Sequence, residues 1–378
     1  MPVWWGTFAY MMIVSAIGMY MYKSKQAGAA LVPVEGEKTA QYRSIGIAMA
    51  LLSFALLVFF VGNRSGIHDT PEYQYMYDLF YTDDLNQITD ILNGTNKTKG
   101  PLFFIYLILF KHFTHGTCND WLMSIAVFQA VSLAVFFYKY SVNYVYSVYL
   151  FYTMSIFLWM VNGMRQFIAI TIILFAVDWL IQKRTIPFML VIFIAYNFHS
   201  SAILWVPVYF IIHFKPWSMK FLVCAALLTF AIIFVSNSSL LENTDYDYIT
   251  TSNRSGINPF RLAVSMVIPV IAYTRKDIIE EKNDPLVNIL INISVISVGC
   301  YVVGMFTNGV AARIAAYFDV FSLVLLPWLL KKAFDESMGR TIAIASFVGY
   351  FLFFWYTMYG VRNGIYVSNN LGIYFWEV

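Results

Sequence analysis

The chain has 378 residues, of which 60% are hydrophobic and 12% charged, and its formal net charge is +3 at pH 7. Soluble domains carry about 25% charged residues, so this composition excludes a surface that is mostly in contact with water. The net charge is too small, and basic runs with interleaved aromatic residues are too scarce, to indicate a nucleic-acid partner. Continuous apolar runs of membrane-spanning length instead predict an integral membrane protein of the all-α class.

Apolar runs recur from one end of the chain to the other, and no charged block is large enough to form a separate soluble domain. We therefore predict one integral membrane domain, residues 1–378, built as a polytopic transmembrane helical bundle of about 12 spans. The predicted spans are 3–22, 44–62, 119–138, 143–161, 165–182, 186–198, 200–214, 221–236, 260–273, 286–304, 313–330 and 341–360. The apolar segment 101–113 is short for a crossing, so we predict a re-entrant or interfacial helix there.

The first predicted span has no basic residue before it and two lysines, Lys23 and Lys25, after it. A cleavable signal peptide has the opposite polarity, so we predict that this span is retained with its N-terminus outside. With this orientation most loop lysines fall on the cytoplasmic side, as the positive-inside rule requires. The outer side then receives two large loops, 63–100 and 237–259.

Several arginines fall on the predicted outer side, although topology favours basic residues inside. They are Arg64, Arg165, Arg254, Arg261, Arg313 and Arg362. Arg64 and Arg254 each lie in the same pentapeptide, NRSGI. Guanidinium groups make forked contacts with carboxylates or phosphates and stay charged when partly desolvated. We therefore predict an outward-facing anion site; the alternative for each arginine is an ion pair with a loop acid or a lipid phosphate.

The first outer loop contains the stretch RSGIHDTPEYQYMYDLFYTDD, which is rich in carboxylates and aromatic rings. Carboxylates accept hydrogen bonds from hydroxyls, and aromatic rings cover the apolar faces of sugars. We therefore predict that Arg64, Glu72 and Tyr73 contact saccharide, and that Asp69 is a candidate general base toward a sugar hydroxyl. The alternative for Asp69 is a structural salt bridge with Arg64.

A second motif lies in VNGMRQFIAITIILFAVDWL, residues 161–180. Asn162 and Gly163 are predicted to break one helix, and Arg165 and Gln166 to begin the next. The free N–H groups of a first helical turn favour an anion, as does a guanidinium group. We predict that Arg165 and Gln166 bind the anion.

One helical hairpin later the chain reads IAYNFHSSAILWVP, residues 194–207. His199 separates two apolar runs, and Ser200 and Ser201 are predicted to cap the following helix. The hairpin returns the chain to its starting side, so we predict that His199 reaches the same face as Arg165, as a candidate general base. A hydrogen-bonded core or capping histidine is the alternative.

The third motif is GVAARIAAYFDVFSLVLLPWL, residues 309–329. Arg313 is predicted to open a span, with Tyr317 one turn deeper on the same side. Asp319 is then buried within the span, where a carboxylate is costly and needs a partner.

No motif for nucleotide, redox or zinc-hydrolase chemistry occurs: the chain has no GxxxxGK[ST], GxGxxG, HExxH or GxSxG sequence. The cysteines Cys118, Cys224 and Cys300 are far apart in the sequence and indicate neither a disulfide framework nor a metal cluster. We predict no cofactor and no metal site.

Four motifs, GIHDTPEY, NGMRQFIAI, NFHSSAI and ARIAAYF, resemble in order and rough spacing those of the EpsG family of bacterial membrane proteins. The resemblance runs from about Arg64 to about Pro327, and members of the family resemble Wzy-type polysaccharide polymerases of exopolysaccharide or capsule assembly. One departure is visible. The family's outer loop usually reads glycine, one residue, aspartate, whereas Ile67 and His68 separate Gly66 from Asp69 here.

The resemblance implies a GT-C-like helical bundle with re-entrant or interfacial helices and an outer-face loop region. The implied substrate is an oligosaccharide on undecaprenyl diphosphate, handled at the outer face of the cytoplasmic membrane. The pyrophosphate ligands are then Arg165, Gln166, Arg254 and Arg313. Tyr317 is a sugar ligand, and His199 or Asp69 is the base. Membrane lipid, and chain-length regulator and flippase proteins, are the implied partners. A lipid-linked oligosaccharide flippase, a polysaccharide transporter and an O-antigen-type ligase are the alternative functions.

Overall fold

The computed structural model describes residues 2–29, 45–66, 69–80, 84–94, 100–236, 259–307 and 311–361. Throughout these ranges the regular secondary structure is helical, and they contain no strand, which confirms the all-α prediction. The chain divides into two compact units. The first comprises Met1–Phe175 and Gly349–Val378, and the second comprises Ala176–Val348.

Within the described ranges, six helices are long and apolar enough to cross a membrane. They are Val3–Met21, Ile45–Gly62, Cys118–Tyr140, Pro285–Phe306, Arg313–Lys332 and Glu336–Met358. Shorter apolar helices accompany them: Pro101–Thr114, Met164–Leu174, Thr185–Phe198, Ser200–Ile211, Met219–Phe234 and Pro259–Thr274. The protein is therefore a multi-pass helical membrane protein, in which half of the predicted spans are helices of full crossing length.

The predicted span 143–161 is not one helix. An α-helix, Tyr144–Thr153, is followed by a 3₁₀ helix, Ile156–Met160, and Ser155 between them has φ 61°. A left-handed residue ends the regular α-helical hydrogen bonding. The ring of Tyr152 stacks on that of Phe157 across the break, with centroids 4.2 Å apart, so the turn is part of the packed interior. A continuous apolar sequence gives no sign of such a turn.

The first unit contains the helices α1 (Pro2–Ala29), α2 (Ala55–Gly62, the second part of the crossing helix Ile45–Gly62), α3 (Thr70–Leu79), α4 (Asn86–Leu92), α5 (Pro101–Thr114), α6 (Cys118–Tyr140), α7 (Tyr144–Thr153) and α8 (Met164–Leu174). Helices α3 and α4 lie inside the predicted outer loop 63–100. Buried aromatic side chains fill the interior, and the Tyr152 hydroxyl donates a hydrogen bond to the Trp4 carbonyl at 2.6 Å. Helix α6 begins at a capping box in which Thr117 and Asp120 exchange hydrogen bonds.

The helices of the second unit are α9 (Val177–Ile181), α10 (Thr185–Phe198), α11 (Trp205–Ile211), α12 (Met219–Ser236), α13 (Pro259–Thr274), α14 (Lys276–Lys282), α15 (Pro285–Phe306), α16 (Ala316–Lys332) and the first part of α17 (Glu336–Trp355). Helix α16 is buried along most of its length, with Trp205 against Phe318 and Phe321 at centroid distances of 5.3 Å. The Asn292 amide donates to the carbonyls of Ile212 and Phe214 beyond the end of α11, which satisfies polar groups that lipid cannot.

Candidate functional site

Helix α3, which follows Asp69, is amphipathic and packs by one face. Tyr73 and Tyr77 are buried, whereas Glu72 and Tyr75 are exposed. The Tyr73 ring lies 6.0 Å from that of Phe103 in α5, centroid to centroid. A proline in the first turn and buried aromatic residues four apart are helix signals, and this part of the predicted outer loop 63–100 is helical.

Lys111 of α5 anchors the C-terminal end of α3. Its Nζ donates to the carbonyls of Tyr77 and Phe80 at 2.8 and 2.5 Å and lies 4.3 Å from the centre of the Tyr77 ring. A cation at a helix C-terminus interacts favourably with the helix dipole and with the last carbonyl groups. Lys111 therefore joins the motif-bearing helix α3 to α5.

We expect Lys111→Met to lower the free energy of unfolding by about 2–3 kcal/mol, because it removes charge-assisted hydrogen bonds and leaves buried carbonyls unsatisfied. Equilibrium unfolding in mixed micelles measures the change. Lys220→Met, at an exposed lysine of α12, is the matched control and should leave stability unchanged. Equal stability of the two variants would contradict this anchoring role.

Arg64 is fully buried and joins three parts of the first unit. Its guanidinium donates to Thr70 Oγ1 at 3.1 Å, to the Val61 carbonyl at 2.5 Å and to Met164 Sδ at 3.2 Å. Burial lowers the pKa of Arg64 to about 10. The nearby Tyr73, Cys118 and Asp69 act in the opposite direction and raise this pKa. The side chain is therefore still a cation at neutral pH, and it ties the end of α2 to the starts of α3 and α8.

Asp69 holds the turn that precedes Arg165. One carboxylate oxygen accepts the Gly163 N–H at 3.1 Å. Gly163 has φ 77°, and a Cβ at this position would lie 2.9 Å from Cε3 of Trp159, so the turn requires glycine. The backbone of Arg165 also forms a hydrogen bond with the Tyr73 hydroxyl. Burial and the negative charge of Asp69 raise the pKa of Tyr73 to about 12. The motifs DTPEY and NGMRQ thus meet through specific bonds.

Arg165 occupies the first turn of α8 and is half-buried. Its guanidinium carbon lies 5.4 Å from the centre of the Phe103 ring and 5.6 Å from that of Phe104, a cation–π arrangement. The neighbouring Gln166 is buried. We call Arg64, Asp69, Tyr73, Gly163 and Arg165 the Asp69–Arg165 cluster. It combines a positioned guanidinium with a helix N-terminus, as the sequence predicts.

The second unit holds a different arrangement around His199. This residue follows the last turn of α10, and its Nδ1 lies 2.6 Å from Ser201 Oγ. The Ser201 hydroxyl donates to the Tyr317 hydroxyl of α16 at 2.9 Å. Ser201 therefore bonds two side chains, whereas no side-chain cap bond begins the 3₁₀ helix Ser200–Leu204 that contains it. The structure brings His199 and Tyr317 into one chain of hydrogen bonds.

Asp319, two residues after Tyr317, is buried in α16 and has partners, as its position in the sequence predicts. Ser297 and Tyr301 of α15 each donate to its carboxylate at 2.5 Å. The Nε of Arg261 in α13 donates to the Tyr301 hydroxyl at 3.3 Å. This network gives the carboxyl group two hydrogen-bond donors and connects it to a guanidinium group, which reduces the cost of burying polar groups among apolar helices. Asp319 thereby joins three helices.

The remaining predicted site residues are distributed as follows. Arg313 lies half-buried in the 3₁₀ helix Ala311–Ala315, one turn before Tyr317, and Arg254 lies outside the described residues. Arg165 belongs to the first unit and His199 to the second, so their predicted adjacency stays a prediction. Among the predicted sugar ligands, Glu72 is exposed, whereas Arg64, Tyr73 and Tyr317 are buried; a sugar-binding role for these three stays a prediction.

Within the described residues, no group of three or more His, Cys, Asp and Glu side chains is arranged to hold a metal ion.

Comparison with known proteins gives one family. The model of the EpsG family matches residues 47–371, which is most of the chain and includes both the Asp69–Arg165 cluster and the hydrogen-bond chain at His199. No curated protein and no solved structure matches.

Proposed function

The chain belongs to the EpsG family, and from that premise we propose that it polymerises oligosaccharide repeat units carried on undecaprenyl diphosphate. It is an exopolysaccharide-related, polymerase-like membrane protein. We propose a bundle of about 12 spans with a GT-C-like fold, and a reaction at the outer face of the bacterial cytoplasmic membrane. Family membership and the multi-pass helical fold support the proposal.

In the proposed reaction, an acceptor sugar hydroxyl attacks C1 of the donor sugar. The new bond joins the acceptor oxygen to C1, and the C1–O bond to the diphosphate breaks with its electron pair remaining on the departing phosphate oxygen. Negative charge therefore develops on the diphosphate. Donors that are already in place stabilise such charge without reorganisation. We assign this role to Arg165, Arg254 and Arg313, with Gln166 beside Arg165.

The observation that carries this assignment is the way in which Arg165 is held. Asp69 accepts the N–H of Gly163, two residues before the arginine, and the ring centres of Phe103 and Phe104 lie within 5.6 Å of the Arg165 guanidinium carbon. A side chain that is packed in this way loses little entropy when an anion binds. This preorganisation is what catalysis by electrostatic stabilisation requires.

We propose that His199 accepts the proton of the attacking hydroxyl. Asp69 is instead a positioning residue, which holds the turn before Arg165. The Asp69 carboxylate is already engaged with the Gly163 N–H, and a carboxylate is an intrinsically weaker base than imidazole. An imidazole has a pKa near neutrality, which suits a general base at physiological pH. We assign contact with the sugar hydroxyls to Glu72, whose side chain is exposed.

The proposed reaction needs no metal ion, because guanidinium groups supply the positive charge that a divalent cation provides in many transfers of this kind. We expect the rate of chain growth to be unchanged in excess EDTA. The measurement is polymer length over time with the purified protein. A loss of polymerisation that added Mg²⁺ or Mn²⁺ restores would contradict a metal-independent reaction.

The decisive experiment incubates the purified protein, in liposomes, with lipid-linked repeat units and separates the products by length. A ladder of lipid-linked oligomers is the expected product. Transfer of repeat units between leaflets without a ladder would favour a flippase. Transfer to a different lipid acceptor would favour a ligase. We further propose membrane lipid, a flippase and a chain-length regulator as partners in the cell.

A further inference from the structure

Ser201 lies between His199 and Tyr317 and contacts both through one oxygen. Its Oγ is 2.6 Å from His199 Nδ1, and its hydroxyl donates to the Tyr317 hydroxyl at 2.9 Å. Ser201 is 3% exposed and Tyr317 1%. Burial keeps water from competing for the Ser201 and Tyr317 hydroxyls, so the Ser201 hydrogen lies in its bond to Tyr317.

The protons can be counted along this chain. A serine hydroxyl has one hydrogen and two lone pairs. Since that hydrogen is donated to Tyr317, the Oγ can only accept toward Nδ1, and Nδ1 must therefore carry a proton. A neutral imidazole carries a single N–H, and the hydrogen bond made by one ring nitrogen sets the state of the other. The neutral form of His199 consequently has its lone pair on Nε2.

We propose that Ser201, held by Tyr317, is a positioning residue that fixes His199 as the Nδ1–H tautomer and so presents Nε2 as the proton acceptor of the reaction. This inference rests on the proposed function for its chemical role. Nε2 takes the proton of the acceptor hydroxyl as the acceptor oxygen bonds to C1 and the diphosphate leaves. The imidazolium that forms keeps its Nδ1–H bond to Ser201, so the bond persists through the step.

The tautomer is read directly by ¹⁵N-histidine NMR of the full-length protein in lipid bilayers, with His199→Gln identifying the His199 signals. At a pH where the ring is neutral, we expect Nδ1 protonated and Nε2 unprotonated. Ser201→Ala removes the acceptor and should move His199 towards the Nε2–H form. Tyr317→Phe should act in the same direction, because the serine hydrogen is then released to turn toward Nδ1. A wild-type His199 protonated on Nε2 would overturn the proposal.

Kinetics test the chemical consequence. We expect Ser201→Ala to lower kcat about tenfold with little change in KM, a part of the ~10²–10⁴ that a positioned general base contributes. Ser201→Thr keeps the hydroxyl and should restore kcat. The neighbouring Ser200→Ala is the matched control and should retain wild-type kcat. A Ser201→Ala enzyme with wild-type kcat, or one that threonine fails to rescue, would refute the positioning role.

The two experiments separate the inference from the function on which it rests. The NMR measurement needs no substrate, so an Nε2–H signal in the wild type defeats the tautomer assignment whatever the protein catalyses. A wild-type protein that shows the Nδ1–H tautomer but forms no ladder from lipid-linked repeat units would instead refute the proposed polymerisation.

Discussion

Replacing Arg165 with alanine should lower the rate of polymerisation by about 10²–10³, the range observed when one preorganised donor to a developing negative charge is removed. Arg165→Lys should not restore the rate. Lysine keeps the positive charge but presents a point charge on a flexible stem in place of a planar fork. It also gives up the guanidinium stacking that the rings of Phe103 and Phe104 provide. Product ladders and initial rates with lipid-linked repeat units measure both effects.

Whether the Arg165 substitutions change kcat or KM shows whether the guanidinium contacts the transition state or the bound substrate. A contact that strengthens as the diphosphate leaves lowers kcat and kcat/KM together, whereas a contact made equally to bound substrate raises KM alone. Arg184→Ala, at an exposed arginine between α9 and α10, is the control for the loss of a positive charge and should retain wild-type rates. Polymers of normal length from Arg165→Lys would contradict an essential guanidinium fork.

The fold class and the long spans could be predicted from composition and apolar runs, because a bilayer sets helix length directly. The turn at Ser155 could not. Its left-handed conformation is stabilised by the stacking of Tyr152 on Phe157, a contact that exists only after the chain has folded. Helix α3 lies within the predicted loop 63–100, where the abundance of carboxylates favours a loop, although its buried tyrosines recur at helical spacing.

The sequence motifs predict which residues of the Asp69–Arg165 cluster are important, but they do not predict the bonds between them. That Asp69 and Arg165 matter together is a reasonable expectation from two motifs of one family, but the bond that joins them runs from a carboxylate to the backbone of Gly163. A hydrogen bond to a backbone N–H cannot be predicted from residue types, because every residue except proline has this group. Arg64 illustrates the same limit. Its place after an apolar run predicts a cation on the outer side that contacts saccharide or an anion, whereas its partners include a sulfur atom 100 positions away in the sequence.

Asp69 therefore acts indirectly in the proposed chemistry: it holds the turn that positions Arg165. A fixed turn matters because a misplacement of about 1 Å can cost about 10² in rate. The same reasoning applies to Lys111, which fixes the other end of α3 through its carbonyl groups. Two anchors, one at each end of α3, keep the first unit's candidate residues in a single geometry.

His199→Gln and Asp69→Asn together decide which residue accepts the proton. We expect His199→Gln to lower kcat by about 10²–10⁴, the contribution of a general base. Asp69→Asn should cost far less, because an amide oxygen still accepts the Gly163 N–H, whereas Asp69→Leu removes that acceptor and should approach the defect of Arg165→Ala. Rates are compared at saturating donor, with thermal unfolding confirming that each variant is folded. Near-normal turnover in His199→Gln, combined with an inactive Asp69→Asn, would transfer the role of base from the imidazole to the carboxylate, because asparagine keeps the hydrogen-bond acceptor of aspartate and loses its basicity.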